Sequence, residues 1–184
     1  MVTKIKPRPT QTKIKHEILK QYLKGWGAII INGLIDRVKS AKRIDSNFQI
    51  HLVYVDSNAS SGRYQGELED YVAGKEPGQV FGSPIIGVQE LDALTAWAKN
   101  KYNIEIHTNV ILIEVEKPVF AELLKTLEIA KLTSRVRFTD NFSNLKNGEI
   151  AVLNADSTTL TSKLIAYTQS SHSPKFSLFF LEPV

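Results

Sequence analysis

Four short apolar segments, separated by stretches with helical spacing, constrain the fold of this 184-residue chain most strongly. The apolar segments are rich in β-branched and aromatic residues, which is typical of buried strands. They lie at residues 50–55, 109–115, 150–154 and 176–181. The helical stretches between them lie at residues 84–101, 118–132 and 159–168. Strands that alternate with helices in this way predict right-handed crossovers, a mainly parallel sheet with flanking helices, and therefore an α/β fold in a single domain.

A run of small polar residues follows the first predicted strand. Asp56 ends the strand, and residues 57–62 close with Gly62. Nucleotide-binding α/β folds begin with a strand that enters such a loop, because the backbone there turns tightly and comes close to a ligand. An ordinary connection between a strand and a helix has the same composition, so the loop leaves both interpretations open. Arg63 and Tyr64 beyond it could contact a ligand, and Arg63 could equally pair with a nearby acid.

An acidic residue follows each of the four predicted strands, and these residues are Asp56, Glu114, Asp156 and Glu182. The carboxyl ends of parallel strands meet at one edge of the sheet, where α/β proteins bind their ligands. A single acid after a strand is also a common cap for the next helix. Because the acid recurs at all four strand ends, the pattern favours a ligand site at this edge.

The N-terminal region is basic. Residues 1–43 contain 11 of the 23 Lys and Arg residues but only two of the 19 acidic residues. Residues 1–12 are predicted to form a flexible basic arm that precedes a helix. Four lysines of this helix are candidates for a nucleic-acid contact: Lys13, Lys15, Lys20 and Lys24. A solvated helix surface explains them equally well, since no pattern of stacking aromatic residues accompanies the charges.

Local signals predict how the first two helices are arranged. Apolar residues between Ile14 and Trp26 recur at helical spacing and predict one apolar face. Gly25 and Gly27 weaken this helix, so residues 29–38 either continue it or begin a second one. Gly82-Ser83-Pro84 predicts the start of the next helix, with Ser83 as its N-cap.

The composition excludes several kinds of site. The chain has no cysteine, which excludes disulfides, thiolate chemistry and cysteine-based zinc sites. Its four histidines are scattered and show no metal-ligand spacing, so no metal is expected. No apolar run is long enough to span a bilayer, and no apolar segment follows the basic N-terminus as in a secretion signal. We therefore expect no membrane contact and a cytoplasmic location.

Several motifs in combination resemble one known family. The first is the basic segment from Thr12 to Leu23, and the second is the strand end Val-Tyr-Val-Asp56 with Ala59 and Gly62-Arg63-Tyr64. Gly82-Ser83-Pro84 and Ile113-Glu114 complete the set. With them the chain resembles the three-Cys-motif partner proteins (TcmP) from about Lys13 to its end. The resemblance implies a Rossmann-like fold similar to that of S-adenosylmethionine-dependent methyltransferases.

The resemblance also implies roles for individual residues. The loop that contains Asp56, Ala59 and Gly62 would pass under the methionine and ribose of S-adenosylmethionine. Glu114 would accept hydrogen bonds from the ribose hydroxyls, since a carboxylate suits a vicinal diol. Asp156 would lie near the adenine. Glu182 would lie beside the reacting methyl group and is the candidate catalytic residue.

The chain departs from the family pattern in two ways. Ser57 and Ser60 stand where the family loop has glycine, and a Cβ is costly where the backbone needs a positive φ. The chain also stops at Val184, immediately after the fourth strand, where the methyltransferase fold continues with three more strands. The fold is therefore expected to be incomplete at its C-terminus. Its last strand would then be an apolar edge that a partner protein or a second copy covers.

Three functions are consistent with these expectations. The first is an S-adenosylmethionine-dependent methyltransferase domain that acts on nucleic acid or protein when complete. The second is a catalytically inactive methyltransferase-like partner subunit, which the serine substitutions and the missing strands favour. The third is a nucleic-acid-binding module that acts through the basic helix and whose binding depends steeply on salt.

Overall fold

A parallel sheet lies at the centre of the protein. The structure is a computed structural model that describes residues 7–40, 49–65, 80–169 and 175–181. The helices are α1 (Thr10–Ser40), α2 (Ser83–Tyr102), α3 (Lys117–Ile129) and α4 (Ser157–Thr168). The strands are β1 (Ile50–Asp56), β2 (Arg63–Tyr64), β3 (Val80–Phe81), β4 (Ile106–Ile113), β5 (Val136–Arg137), β6 (Ile150–Leu153) and β7 (Lys175–Phe180). None of the helices in these ranges is both long and apolar enough to cross a bilayer.

The main sheet has five strands in the order β5-β6-β4-β1-β7, and every neighbouring pair is parallel. Val53 at the centre of β1 lies opposite Asn109 of β4 and Ser177 of β7. From β1 the chain passes to β4 and then to β5 at the edge, steps back to β6 between them, and finally crosses to the other side of β1 with β7. Such a reversal of strand order opens a crevice at the carboxyl edge of doubly wound sheets. The prediction of a Rossmann-like α/β fold is confirmed.

Strand β1 is buried on both faces. Ile50, Leu52 and Tyr54 belong to the core that β1 shares with α1, α2 and α3. Val53 and Val55 belong to a second core beneath α4. Because helices cover both faces, β1 is a continuous apolar run and not an alternating one.

Two glycines allow helices to approach their neighbours closely. A Cβ at Gly27 of α1 would overlap the side chain of Leu94 in α2. A Cβ at Gly87 of α2 would overlap the ring of Tyr54 in β1, which is fully buried. These contacts fix α1 on α2, and fix α2 against the last part of β1.

The first helix differs from its prediction. Helix α1 is continuous through Gly25 and Gly27, because packing of its buried face outweighs the low helix propensity of glycine. Its first turn contains residues 10–12, which the sequence assigns to the arm, and residues 1–6 lie outside the described residues. Only part of the apolar face predicted for its N-terminal half packs on the core. Leu19 and Leu23 are buried, whereas Ile14, Ile18 and Tyr22 are exposed.

The start of α2 also differs from its prediction. The N-cap residue is Gly82, whose carbonyl accepts hydrogen bonds from the N–H groups of Ile85 and Ile86. Ser83 is therefore the first residue of the helix, and its prediction as the N-cap is wrong. The N–H of Gly82 donates to the carbonyl of Gly62 over 2.8 Å, which joins the start of α2 to the loop after β1.

Candidate functional site

The loop after β1 folds across the carboxyl ends of the neighbouring strands. The N–H of Ser57 donates to the carbonyl of Phe180 at the end of β7 over 3.2 Å. The N–H of Ala59 donates to the carbonyl of Ile113 at the end of β4 over 2.9 Å. The loop is therefore fixed to both strands that flank β1, and it lies where the change of strand order predicts a ligand site.

Four successive N–H groups of this loop have acceptors within the protein. Besides Ser57 and Ala59, the N–H of Asn58 donates to Oδ1 of Asp56 over 3.3 Å, and the N–H of Ser60 donates to Oε2 of Glu114 over 2.8 Å. A phosphate-binding loop presents its N–H groups to the ligand. In this conformation these four groups serve the fold and not an anion.

Glu114 follows β4 and is almost fully buried, with 4% of its surface exposed. Its Oε2 accepts from Ser60, and its Oε1 accepts from the N–H of Glu116 over 2.8 Å. Each carboxylate oxygen can accept a second hydrogen bond, so the chemistry of a ribose acceptor is retained. A ribose hydroxyl would reach it only after the loop at Ser60 moves.

Asp56 is fully buried at the end of β1. The hydroxyl of Tyr54 donates to its Oδ2 over 3.3 Å, and the N–H of Asn58 donates to its Oδ1. The side chain therefore turns back towards its own strand and stabilises the start of the loop. Asp56, Ala59 and Glu114, which the resemblance assigns to one site, do converge at this edge of the sheet.

Ser57 and Ser60, which stand where the resemblance expects glycine, differ in backbone conformation. Ser60 has a φ of 53°, which lies in the left-handed region that disfavours side chains. Ser57 does not have a positive φ, and its hydroxyl donates to the carbonyl of Phe180 over 3.2 Å. Gly62 has a φ of 70°, and a Cβ there would press on Leu123 of α3. The loop therefore requires glycine at position 62 and carries strain at position 60.

Arg63 has a buried acidic partner. Its Nη2 lies 3.0 Å from Oε2 of Glu122 in α3, and both side chains are less than 10% exposed. Nζ of Lys125 lies 2.7 Å from the other oxygen of Glu122. The hydrogen bond from Lys125, and then that from Arg63, hold the pKa of Glu122 below its usual value against the opposing effect of desolvation.

The same helix also holds the loop through Thr126, whose hydroxyl donates to the carbonyl of Ser61 over 2.6 Å. The alternative in which Arg63 pairs with an acid is thus the one that the structure favours. Glu122 and Thr126 were missed by sequence reasoning. Their positions on α3, about sixty residues from their partners in the chain, gave no local signal.

Asp156 is the N-cap of α4. Its Oδ1 accepts from the N–H of Thr158 over 2.8 Å and from the hydroxyl of the same residue over 2.7 Å. The hydrogen bond from the hydroxyl, followed by that from the N–H, lowers the pKa of Asp156. A helix cap is thus the role that its contacts support. Glu182, the candidate catalytic residue, lies outside the described residues.

The carboxyl edge has two further features that the sequence did not single out. The Nδ2 group of Asn154 donates to the carbonyls of Glu114 and Val115 over 2.8 and 3.0 Å, which joins the ends of β6 and β4. The side chain of Val115 is 60% exposed. Beside them lies an open cleft of about 490 Å³, whose lining includes Phe120, Phe138 and Asn154. Such a surface offers apolar and aromatic contacts for a planar ring.

The four candidate lysines do not form one cluster on α1. Lys13, Lys20 and Lys24 are separated by seven and four residues, so they lie on one side of the helix, and Lys15 lies on another. Nζ of Lys20 lies 3.0 Å from Oε1 of Glu17, which offsets part of the positive charge. Single-stranded nucleic acid is bound by basic grooves that also carry stacking aromatic rings, and the lysines by themselves are equally typical of a solvated helix surface.

No group of three or more potential metal ligands occurs among the described residues. Comparison with known protein families, curated proteins and solved structures found no match to this chain.

Proposed function

We propose that this chain is a three-Cys-motif partner-like protein with a methyltransferase-type domain that binds S-adenosylmethionine at the carboxyl edge of its sheet. One observation carries the proposal: the loop after β1 and Glu114 at the end of β4 are in direct contact, Ser60 N to Glu114 Oε2 over 2.8 Å. The residues that the resemblance assigns to the methionine and the ribose thus lie together at the point where strand order changes.

The neighbouring surface suits the adenine half of the cofactor. Val115 follows the proposed ribose acceptor and exposes an apolar side chain on which a purine can stack. Asn154, which donates to the carbonyl of Val115, also lines the cleft that includes Phe120 and Phe138. Methyl transfer from a sulfonium needs an acceptor held in line more than it needs acid–base catalysis. Glu182 would orient the acceptor, which we take to be a nucleic acid or a protein.

A second function, a catalytically inactive partner subunit, is favoured by a different observation. Asp56 and Glu114 are both buried, and the N–H groups of Ser57 to Ser60 already have acceptors. A loop whose N–H groups are already hydrogen-bonded within the protein needs no ligand to satisfy them. In this alternative a partner protein or a second copy lies along the β7 edge, where Phe179 and Leu181 are exposed.

Calorimetric titration with S-adenosylmethionine and S-adenosylhomocysteine separates the two functions. Under the first, we expect binding in the micromolar range that Glu114→Ala abolishes and Glu116→Ala leaves unchanged. Glu116 is the matched control because it is an exposed acid two residues away. Absence of binding at millimolar ligand would overturn the first function and favour the second.

Glu114→Ala could fail for structural reasons, so a surface variant completes the test. Val115→Asp changes an exposed side chain and should leave the unfolding temperature unchanged. If the adenine stacks on Val115, this variant weakens binding at least tenfold. Binding that is unaffected by both substitutions would place the ligand elsewhere and contradict the proposed site.

A further inference from the structure

Helix α1 carries a second apolar surface that faces away from the core. Its most exposed apolar residues are Ile14, Ile18, Tyr22 and Ile29, with 56, 61, 56 and 74% of their surfaces exposed. The core side of the same helix is formed by other residues, among them Leu23 and Ile31, which are fully buried. The fold of the single chain therefore leaves this surface without a covering element among the described residues.

The spacing of this surface is that of a helix–helix seam. Ile18, Tyr22, Gly25 and Ile29 follow one another at intervals of four, three and four residues. Such spacing keeps side chains on one line along a helix and is typical of positions that pack against a partner helix. We call these four residues the α1 seam.

Gly25 has no explanation within the single chain. A Cβ at this position would meet no atom within 4 Å. At Gly27, by contrast, a Cβ would overlap the side chain of Leu94. Glycine in the middle of an exposed helix costs about 1 kcal/mol relative to alanine. The open space above Gly25 can accommodate a large side chain of a second chain that approaches the helix there.

We propose that the α1 seam pairs with the α1 seam of a second copy of this chain, in an antiparallel arrangement about a two-fold axis. When the axis passes between residues 23 and 24, Tyr22 of each copy lies over Gly25 of the other. Ile18 of each copy then lies against Ile29 of the other. Every large member of the seam gains a partner, and the glycine accommodates the bulkiest one, so the seam is complementary to itself as a two-fold interface requires.

The size of this surface predicts a weak dimer. The exposed parts of the three large seam residues, together with that of Ile14 one turn before Ile18, amount to about two and a half complete side chains, or at most on the order of 500 Å² per copy. Two copies would bury on the order of 1,000 Å², which is the lower limit for a specific interface. This interface is separate from the β7 edge and does not depend on the proposed cofactor.

Sedimentation of the full chain tests the proposal. We expect the mass to rise with concentration from 20.6 kDa towards twice that value. Ile29→Lys should weaken association at least tenfold, because it places a charge in the seam of both copies. Ile165→Lys is the matched control, since Ile165 is an exposed isoleucine of α4. A wild-type chain that stays monomeric at millimolar concentration would overturn the proposal, as would equal effects of the two substitutions.

Gly25→Ala distinguishes an effect on dimerisation from an effect on folding, because we expect it to change the two in opposite directions. It should raise the free energy of unfolding of the monomer, because alanine favours helix, and yet weaken the dimer, because the methyl group fills the space needed by Tyr22 of the other copy. An unchanged or tighter dimer in this variant would contradict the register.

Cross-linking through introduced cysteines tests the orientation of the two helices. Because the chain has no native cysteine, only the introduced ones can form disulfides. Ile18→Cys combined with Ile29→Cys should form disulfides between copies under oxidation. The two positions are about 16 Å apart on one helix, too far for a bridge within a chain. Ile18→Cys alone should remain uncross-linked. A disulfide between two copies of the single variant would indicate a parallel pair and overturn the antiparallel arrangement.

Discussion

The backbone N–H of Ser60 donates to the carboxylate of Glu114 over 2.8 Å and so joins the loop after β1 to the end of β4. Ser60 makes this bond from a left-handed backbone conformation, with a φ of 53°. The contact explains how a serine can occupy this position. A buried carboxylate that lost its backbone donor would be costly, so the hydrogen bond offsets the strain of the side chain.

Ser60→Gly should therefore stabilise the protein. Glycine reaches a positive φ without strain, and the backbone N–H that Glu114 needs is retained. The relief of about 1 kcal/mol is reduced by the larger conformational entropy of glycine in the unfolded chain, so we expect a net gain of about 0.5 kcal/mol. Urea denaturation measures it.

Ser57→Gly is the control for this substitution, because Ser57 is a serine of the same loop that lacks a positive φ. It should destabilise the protein by about 1 kcal/mol, since the hydrogen bond from its hydroxyl to Phe180 is lost. If the two variants change stability in the same direction, the assignment of strain to Ser60 is wrong.

The two cations that contact Glu122 should contribute unequally to stability. Arg63→Met removes a buried partner of a buried carboxylate and should lower the free energy of unfolding by about 3 kcal/mol. Lys125→Met removes a partner whose side chain is 57% exposed and should lower it by less than about 1 kcal/mol. Chemical denaturation of both variants at one pH makes the comparison. Equal losses would mean that the Arg63 pair does not hold the loop on α3.

His16, which is buried, and His51, which is partly buried, should make stability fall as the pH is lowered below neutrality. Burial, with smaller effects from Arg8 and Lys20, lowers the pKa of His16 to about 4. Burial also lowers the pKa of His51 to about 4, against the hydrogen bond that its Nε2 donates to Oδ1 of Asn109 over 2.7 Å. Between pH 6.5 and 4 the unfolded chain binds more protons than the folded one. The stabilisation is therefore complete above pH 6.5 and is lost as the pH falls towards 4.

The expected loss is about 1–2 kcal/mol per histidine between pH 6.5 and pH 5. Urea midpoints measured from pH 7.5 to pH 5 report it, in a range where most carboxylates remain ionised. His16→Gln and His51→Gln should each flatten this pH dependence, whatever they do to stability at pH 7.5. If the urea midpoint of a variant falls with pH as steeply as that of the wild type, the replaced histidine is not a source of the pH dependence.

The contact between Gly87 and Tyr54 should make position 87 intolerant of any side chain. Gly87→Ala places a methyl group into a fully buried aromatic ring and should destabilise the protein by about 2–3 kcal/mol. Gly33→Ala is the control in α1, where a Cβ meets no atom within 4 Å, and it should be stabilising by about 1 kcal/mol. Thermal unfolding distinguishes the two. A neutral Gly87→Ala would show that α2 can shift away from β1.

Much of the framework followed from local patterns. The continuous apolar run of β1 and the helical spacing of α2 each indicate one structure over their whole length, so the elements and the α/β class were predictable. The convergence of the loop after β1 with Glu114 also followed, because parallel strands place their carboxyl ends at one edge. Element ends were less predictable. Ser83 resembles an N-cap in sequence, but the hydrogen bond between Gly82 and Gly62 places the cap one residue earlier.

The sequence by itself determined the α/β class, the order of the main strands and helices, and the position of Asp56 and Glu114 at strand ends, because these depend on periodicity and chain order. Only the tertiary structure decided what those residues contact. Glu114 accepts from Ser60 and Arg63 pairs with Glu122 across more than fifty residues of chain. In the same way Ile18 and Leu19 are equally apolar neighbours in α1, yet one is exposed and the other buried. The physical reason is that burial and pairing depend on which distant surfaces pack together, and no local pattern records that.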